Sequence, residues 1–256
     1  MTFSTSFVPR YVVAVLFLVS FVLGARAELI FSDDFSAPNG TLLNGSTPDV
    51  GSNWDVTSGA SQLIISNSAV DTSFVTAPST LTLAFGAFTR ALTSGETLTF
   101  TFNTANPANN NFFTTGWAGL SLYTGGANGT EQFFLGSIGD EPYWGIDAAA
   151  SGGKQWFTNI TSAAQAVSFT YAYDTGAWFY SVGTNSMSGV TTTQLAFDTV
   201  RIGADYSDLA SIKVENVQVS VSGGAAVPEP STYLAGGLLA AIGVLQWVRR
   251  RQRATA

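Results

Sequence analysis

From Glu96 to Asn103 the chain places an apolar side chain at every second position. Leu98, Phe100 and Phe102 fall on one side of an extended backbone, and Thr97, Thr99 and Thr101 on the other. A period of two belongs to a strand with one buried and one wet face; a helix needs a period near 3.6. No segment between Glu28 and Val221 holds the helical period over any length. Short alternating runs instead recur between clusters of Gly, Asn and Asp, the pattern of an antiparallel sandwich or barrel. The fold class expected is therefore all-β.

The first strand is expected over Leu29–Phe35. Pro38, Asn39-Gly40, Asn44-Gly45 and Pro48 make Ser36–Ser52 a loop, because each favours a turn. Short strands are then expected at Trp54–Val56, Gln62–Ser66, Phe74–Val75 and Leu81–Phe85, ahead of Glu96–Asn103. Asn106–Asn111 reads as a loop. Trp117–Tyr123 and Gln132–Ile138 flank the glycine-rich stretch Gly125–Gly129, a hairpin connection. Tyr143–Ile146 and Gln155–Phe157 follow.

Ala166–Tyr173, the turn Asp174-Thr175-Gly176 and Ala177–Gly183 form a further hairpin whose second strand carries Trp178. It resembles the central hairpin of concanavalin A-like and laminin-G-like jelly rolls, and Phe197–Gly203 and Ala210–Val221 resemble their closing strands. The resemblance implies an antiparallel jelly-roll β-sandwich over residues 28–221, with its first strand paired to its last. Another β-sandwich is the rival topology. Residues 222–227 are expected to be a flexible linker.

The two ends differ from this body. Arg10 precedes an apolar run, Tyr11–Leu23, and Ala25-Arg26-Ala27 is a small-x-small cleavage site. Residues 1–27 thus read as a signal peptide, with the mature chain starting at Glu28. At the other end, Leu234–Val248 is uncharged, and Arg249, Arg250, Arg251 and Arg253 follow it. Fifteen helical residues rise only about 22 Å, short of a hydrocarbon core of roughly 30 Å. A core helix is the competing reading. The order of apolar run and basic cluster favours a transmembrane helix at 234–248 with its arginines in the cytoplasm.

Val227-Pro228-Glu229-Pro230-Ser231-Thr232, then the apolar run, then the basic tail, resembles the PEP-CTERM sorting signal of bacterial surface proteins. An unrelated tail anchor is the alternative. The resemblance covers residues 228–256 and the valine before them. It implies handling by a membrane-embedded exosortase, cleavage near Pro-Glu-Pro, and a destination at the cell surface or in the extracellular matrix. It also implies bacteria that make exopolysaccharide.

Composition narrows the function. The body has four basic residues, Arg90, Lys154, Arg201 and Lys213, against all seventeen acidic ones if Glu229 is counted, a net charge near −13. Such a body is not a nucleic-acid binder, because phosphates need basic contacts. The chain has no cysteine, so nothing is stapled by disulfides, and no histidine. That removes Ser-His-Asp and Cys-His catalysis together with histidine-ligated metals. The Glu-x-Asp-x-x-Glu run of laminarinase-like jelly rolls is missing too. The expectation is a non-enzymatic surface protein without a cofactor, a glycan-binding module being the alternative and a polysaccharide hydrolase the third reading.

Two sets of site residues are singled out. Trp117, Trp144, Trp156, Trp178, Tyr143 and Tyr180 are the candidate rings for a glycan contact, and the pair Tyr143 and Trp144 beside Asp140-Glu141 is the first choice, although such rings also build β cores. Asp33 and Asp34 on the first strand, with Asp205 and Asp208 before the last, are the carboxylates that could meet around calcium. Capping of turns is the competing role for them.

Overall fold

The computed structural model describes residues 27–59, 61–75, 81–139, 141–148, 153–205 and 209–223. The expected signal peptide except for its last residue, Ala27, the Val227–Thr232 stretch and the apolar run 234–248 lie outside them. Among the described residues no helix is long and apolar enough to cross a membrane.

Among the described residues there are fourteen strands: β1 (Glu28–Asp33), β2 (Asp55–Ser58), β3 (Val70–Asp71), β4 (Leu81–Ala87), β5 (Glu96–Ala105), β6 (Ala118–Thr124), β7 (Thr130–Ser137), β8 (Trp144–Ala148), β9 (Gly153–Trp156), β10 (Ala166–Ala172), β11 (Ala177–Val182), β12 (Asn185–Val190), β13 (Thr199–Asp205) and β14 (Lys213–Gly223). They form two antiparallel sheets. Sheet I runs β1-β14-β5-β10-β11-β12, with β3 also on β14; sheet II runs β2-β4-β13-β6-β7-β8-β9. The first strand pairs with the last, as expected, from Glu28↔Val221 to Asp33↔Val217.

Alternation sets which face of each strand is buried. In β5, Leu98, Phe100 and Phe102 are buried while Thr97, Thr99 and Thr101 keep solvent contact. Phe169, Tyr171, Trp178 and Tyr180 of sheet I meet Phe133, Leu135 and Ile146 of sheet II in one core. Each Phe, Leu or Ile among them contributes about 1.5–3 kcal/mol of burial. Strand β14 changes phase: Val214 points inward, and so does Val217, three residues on. A bulge between Val214 and Asn216 absorbs the extra residue.

Four expectations change. Phe74-Val75 is not a strand, because Thr72–Phe74 coils into a 3-10 turn whose entry is capped by Asp71 accepting the Ser73 N–H at 2.9 Å. Gln62–Ser66 forms only isolated bridges, Leu42↔Ile64 and Ile65↔Val70. Strand β14 runs through Ser222 and Gly223, paired with Thr97 and Glu96, so it enters the expected linker. Strand β12 was not foreseen, since Asn-Ser-Met-Ser-Gly-Val carries no apolar alternation.

Candidate functional site

The outer face of sheet II, the one turned away from the core, holds the candidate site. Pairing registers align Phe85, Arg201, Ser121, Phe134, Asp147 and Lys154 in one row across β4, β13, β6, β7, β8 and β9. One pleat along, the row reads Gly203, Gly119, Gly136 and Gly145. Four glycines side by side leave the sheet bare, and the protein's own side chains fill part of the space. A Cβ on Gly203 would lie 2.9 Å from Trp117 Cζ3, and one on Gly119 2.7 Å from Phe134 Cζ. One on Gly145 would crowd Ile138 and Trp156. The glycines are what let these rings lie down on the backbone.

Beside the rings sits Arg201, a charge on β13, an interior strand of the sheet, and 8% exposed. Its guanidinium carbon is 4.9 Å from the Trp117 ring centroid and 5.0 Å from that of Tyr123. Nη1 donates to Tyr123 Oη at 2.5 Å and Nη2 to Ser121 Oγ at 2.8 Å. Nη2 also pairs with Glu131 Oε2. That oxygen further accepts from Ser121 Oγ at 2.9 Å and Tyr123 Oη at 3.2 Å. A buried arginine is tolerable only with such partners. Burial pushes the Tyr123 phenol up to about 12, against the nearby Arg201 charge, which pulls it down. Tyr123 therefore stays a neutral donor at any physiological pH.

These groups line a recess of about 330 Å3 formed by Trp117, Tyr123, Glu131, Phe134, Ile138, Asp147, Lys154 and Arg201. Small-ligand sites span roughly 300–1,000 Å3 and combine apolar walls with a few placed polar groups. The lining has two acidic and two basic side chains, so it is charge-balanced although the body is strongly acidic. It offers ring faces for stacking and both donors and acceptors. Of these residues only Trp117 is among the rings the sequence offers for a glycan contact; the others are not singled out as a site. The available signal was a charged or aromatic residue at the outward position of an otherwise apolar strand, as in Val200-Arg201-Ile202, beside strands with a glycine at the matching place.

Comparison with known proteins adds a second feature. Residues 226–252 match the family description "PEP-CTERM protein-sorting motif". The tail is a PEP-CTERM sorting motif. It takes in Val227–Thr232, the apolar run and the first arginines. No curated protein matches the chain. Among solved structures, the body is similar to a glycosyl hydrolase family 16 protein from Mycobacterium smegmatis, at 12% identity and TM-score 0.45, over 75% of this chain and 100% of that one. It is also similar to the winged bean acidic lectin complexed with methyl-α-D-galactose, at 11% identity and TM-score 0.46, over 78% and 100%. A third is lectin UEA-II complexed with galactose, at 10% identity and TM-score 0.48, over 78% and 100%.

Of the residues singled out in the sequence, those of the PEP-CTERM motif and its basic cluster lie outside the described part. Trp144 is corrected: it is fully buried, 4.7 Å from Phe112 between ring centroids, and its Nε1 donates to the Ser162 carbonyl at 2.8 Å. It shares its face with Ile146 and Ala148, which point into the core, so it has no ring face for a sugar. Tyr143, just before β8, is half-buried and does not line the recess.

The aspartates are partly brought together. Asp33 and Asp34 have carboxylate oxygens within 4.8 Å of each other and of Asp49, which was not foreseen. Asp205 is not in that group, and Asp208 lies outside the described residues. All three grouped carboxylates hold the chain in place. Asp33 accepts from the Phe35 N–H at 2.7 Å and Trp54 Nε1 at 2.6 Å. Asp34 accepts from the Ser36 N–H at 2.9 Å, and Asp49 from the Asp34 N–H at 3.2 Å. Burial raises the Asp33 pKa, against these hydrogen bonds, which lower it.

Proposed function

We propose that this chain is an exported, non-enzymatic protein of the bacterial cell surface or extracellular matrix, processed by an exosortase at Pro228-Glu229-Pro230. The observation that carries this reading is the PEP-CTERM motif at residues 226–252. On this reading residues 1–27 direct export, and Leu234–Val248 holds the chain in the membrane until cleavage. The body is a concanavalin A-like jelly roll, a topology supported by the repeated crossing of the chain between sheets and by the β1–β14 pairing. Exopolysaccharide is its surrounding material. Cell fractionation tests the proposal: deleting residues 228–256 should change where the protein accumulates. An unchanged distribution would contradict it.

A second reading, that the body also binds a glycan, is favoured by the recess on sheet II. Aromatic walls and a charge-balanced set of donors and acceptors suit a neutral sugar ring. The non-enzymatic part of the proposal is supported by Glu131, whose Oε2 is occupied by Arg201, Ser121 and Tyr123. That oxygen is held by its structural partners, and the Glu-x-Asp-x-x-Glu run of laminarinase-like jelly rolls is missing from the sequence. Calcium at Asp33, Asp34 and Asp49 stays a minor proposal, tested by whether calcium raises the unfolding midpoint.

A further inference from the structure

Among the described residues the two strand paths end in four edge strands, with the two-residue β3 also paired to β14, and three of the four are protected. Along β1, Ser32 exchanges hydrogen bonds with Val50 at 2.9 and 3.1 Å, and the Ile30 carbonyl accepts from the Thr89 N–H at 3.0 Å. That strand also begins with Glu28 and has a bulge between Leu29 and Phe31. Strand β2 is four residues long, bulged between Val56 and Ser58, and its Val56 N–H is taken by Asn44 Oδ1 at 3.0 Å. Strand β9 is four residues long and carries Lys154. Shortness, bulges, charges and covering segments are the devices that keep open edges from pairing with other chains.

Strand β12 has none of them. It is six residues long, without proline or charge, and pairs with β11 in unbroken register from Ala177↔Val190 to Val182↔Asn185. Among the described residues no other backbone segment bonds to it. In an antiparallel strand every second residue turns its N–H and C=O away from its partner, so this edge keeps a row of free groups. Its outer face is apolar at one end. Val190 is 61% exposed, and Phe179 on β11, which pairs with Ser188 and so lies diagonal to Val190 on the same face, is 46% exposed. The setting is uncharged as well: Asp174 is the only charged residue between Lys154 and Asp198.

We propose that β12 pairs with β12 of a second copy, antiparallel about a two-fold axis, joining two copies of sheet I into one continuous sheet. The occupant follows from charge and symmetry. A body with a net charge near −13 repels its own kind over most of its surface, and this edge is where two copies meet without charge. A strand laid antiparallel on itself is self-complementary, as a two-fold interface requires. Phe179 and Val190 of both copies then flank the seam on one face and lose water from their apolar surface.

The test is sedimentation velocity of the full chain in a mild detergent, across a wide range of concentration, with Ser186→Lys/Ser188→Lys as the variant. Both serines are exposed on β12, and circular dichroism with a thermal scan checks that the fold survives. A dimer is expected, and the lysines should weaken it at least about tenfold, a loss of about 1.4 kcal/mol. Ser220→Lys, on the same face four strands away, should leave it intact. Single cysteines placed along β12 give a second readout, because the chain has no cysteine of its own. Only positions facing their symmetry mate should form a dimer-linking disulfide. A monomer at every concentration, a dimer indifferent to the lysines, or a β12 edge that captures another protein's strand instead would each overturn the proposal.

Discussion

Trp117 lies over Gly203, with the guanidinium carbon of Arg201 4.9 Å from the centre of its ring. Gly203 and Arg201 are two apart on β13, so both face outward, and the ring covers one while stacking on the other. The missing Cβ and the buried charge are thus parts of one arrangement. Gly203→Val should displace the ring and cost about 1–3 kcal/mol, the usual penalty for overpacking. Urea denaturation reads that loss.

Arg201→Lys tests the other half. Lysine keeps the charge but not the planar fork that reaches Tyr123, Ser121 and Glu131. The expected loss is about 1.5–3 kcal/mol. Stability equal to the parent would show that the guanidinium geometry is incidental.

Trp117 and Trp144 should separate binding from folding. Trp144→Ala empties a fully buried site and should cost about 3–5 kcal/mol. Trp117→Ala should cost less, since its ring is half-buried, yet lower retention on neutral polysaccharide at least about tenfold if the recess holds a sugar ring. Affinity electrophoresis measures the second effect, and unchanged migration would count against the glycan reading.

Glu96 and Asp33 pull stability in opposite directions as pH changes. Hydrogen bonding to Arg90 holds the Glu96 carboxyl below its ordinary value of 4.5. Its stabilisation is present above the unfolded value and disappears as pH falls through the folded one. Burial sets Asp33 above its ordinary value of 3.8, so its ionisation opposes folding and stability declines as pH rises through that interval. Glu96→Gln should flatten the acid limb of the stability curve, and Asp33→Asn should steepen it. Denaturation midpoints from pH 7 downward, about a unit apart in steps, decide both signs.

The strands were legible where one face was apolar. Leu98, Phe100 and Phe102 announce β5, and the Asp174-Thr175-Gly176 turn announces the β10–β11 hairpin, paired from Val167↔Val182 to Tyr171↔Trp178. Strand β12 was not legible, because an edge strand with both faces near solvent needs no alternation. The site was hardest to see. Tyr143 and Trp144 drew attention as adjacent rings, but adjacency puts one of any pair inside. The parity of Trp144 with Ile146 and Ala148 places its ring in the core and leaves Asp147 facing out. Register brings Arg201 beside Ser121 and Asp147 beside Lys154. Residues from separate strands meet through pairing that no local pattern encodes.

The C-terminus of the exported protein is the quantity to measure first, by intact mass, from cells with and without the exosortase. A product that begins at Glu28 and ends near Pro230 only when the enzyme is present is the expected result. A chain still running to Ala256 in both strains would contradict exosortase processing and leave an ordinary membrane tail.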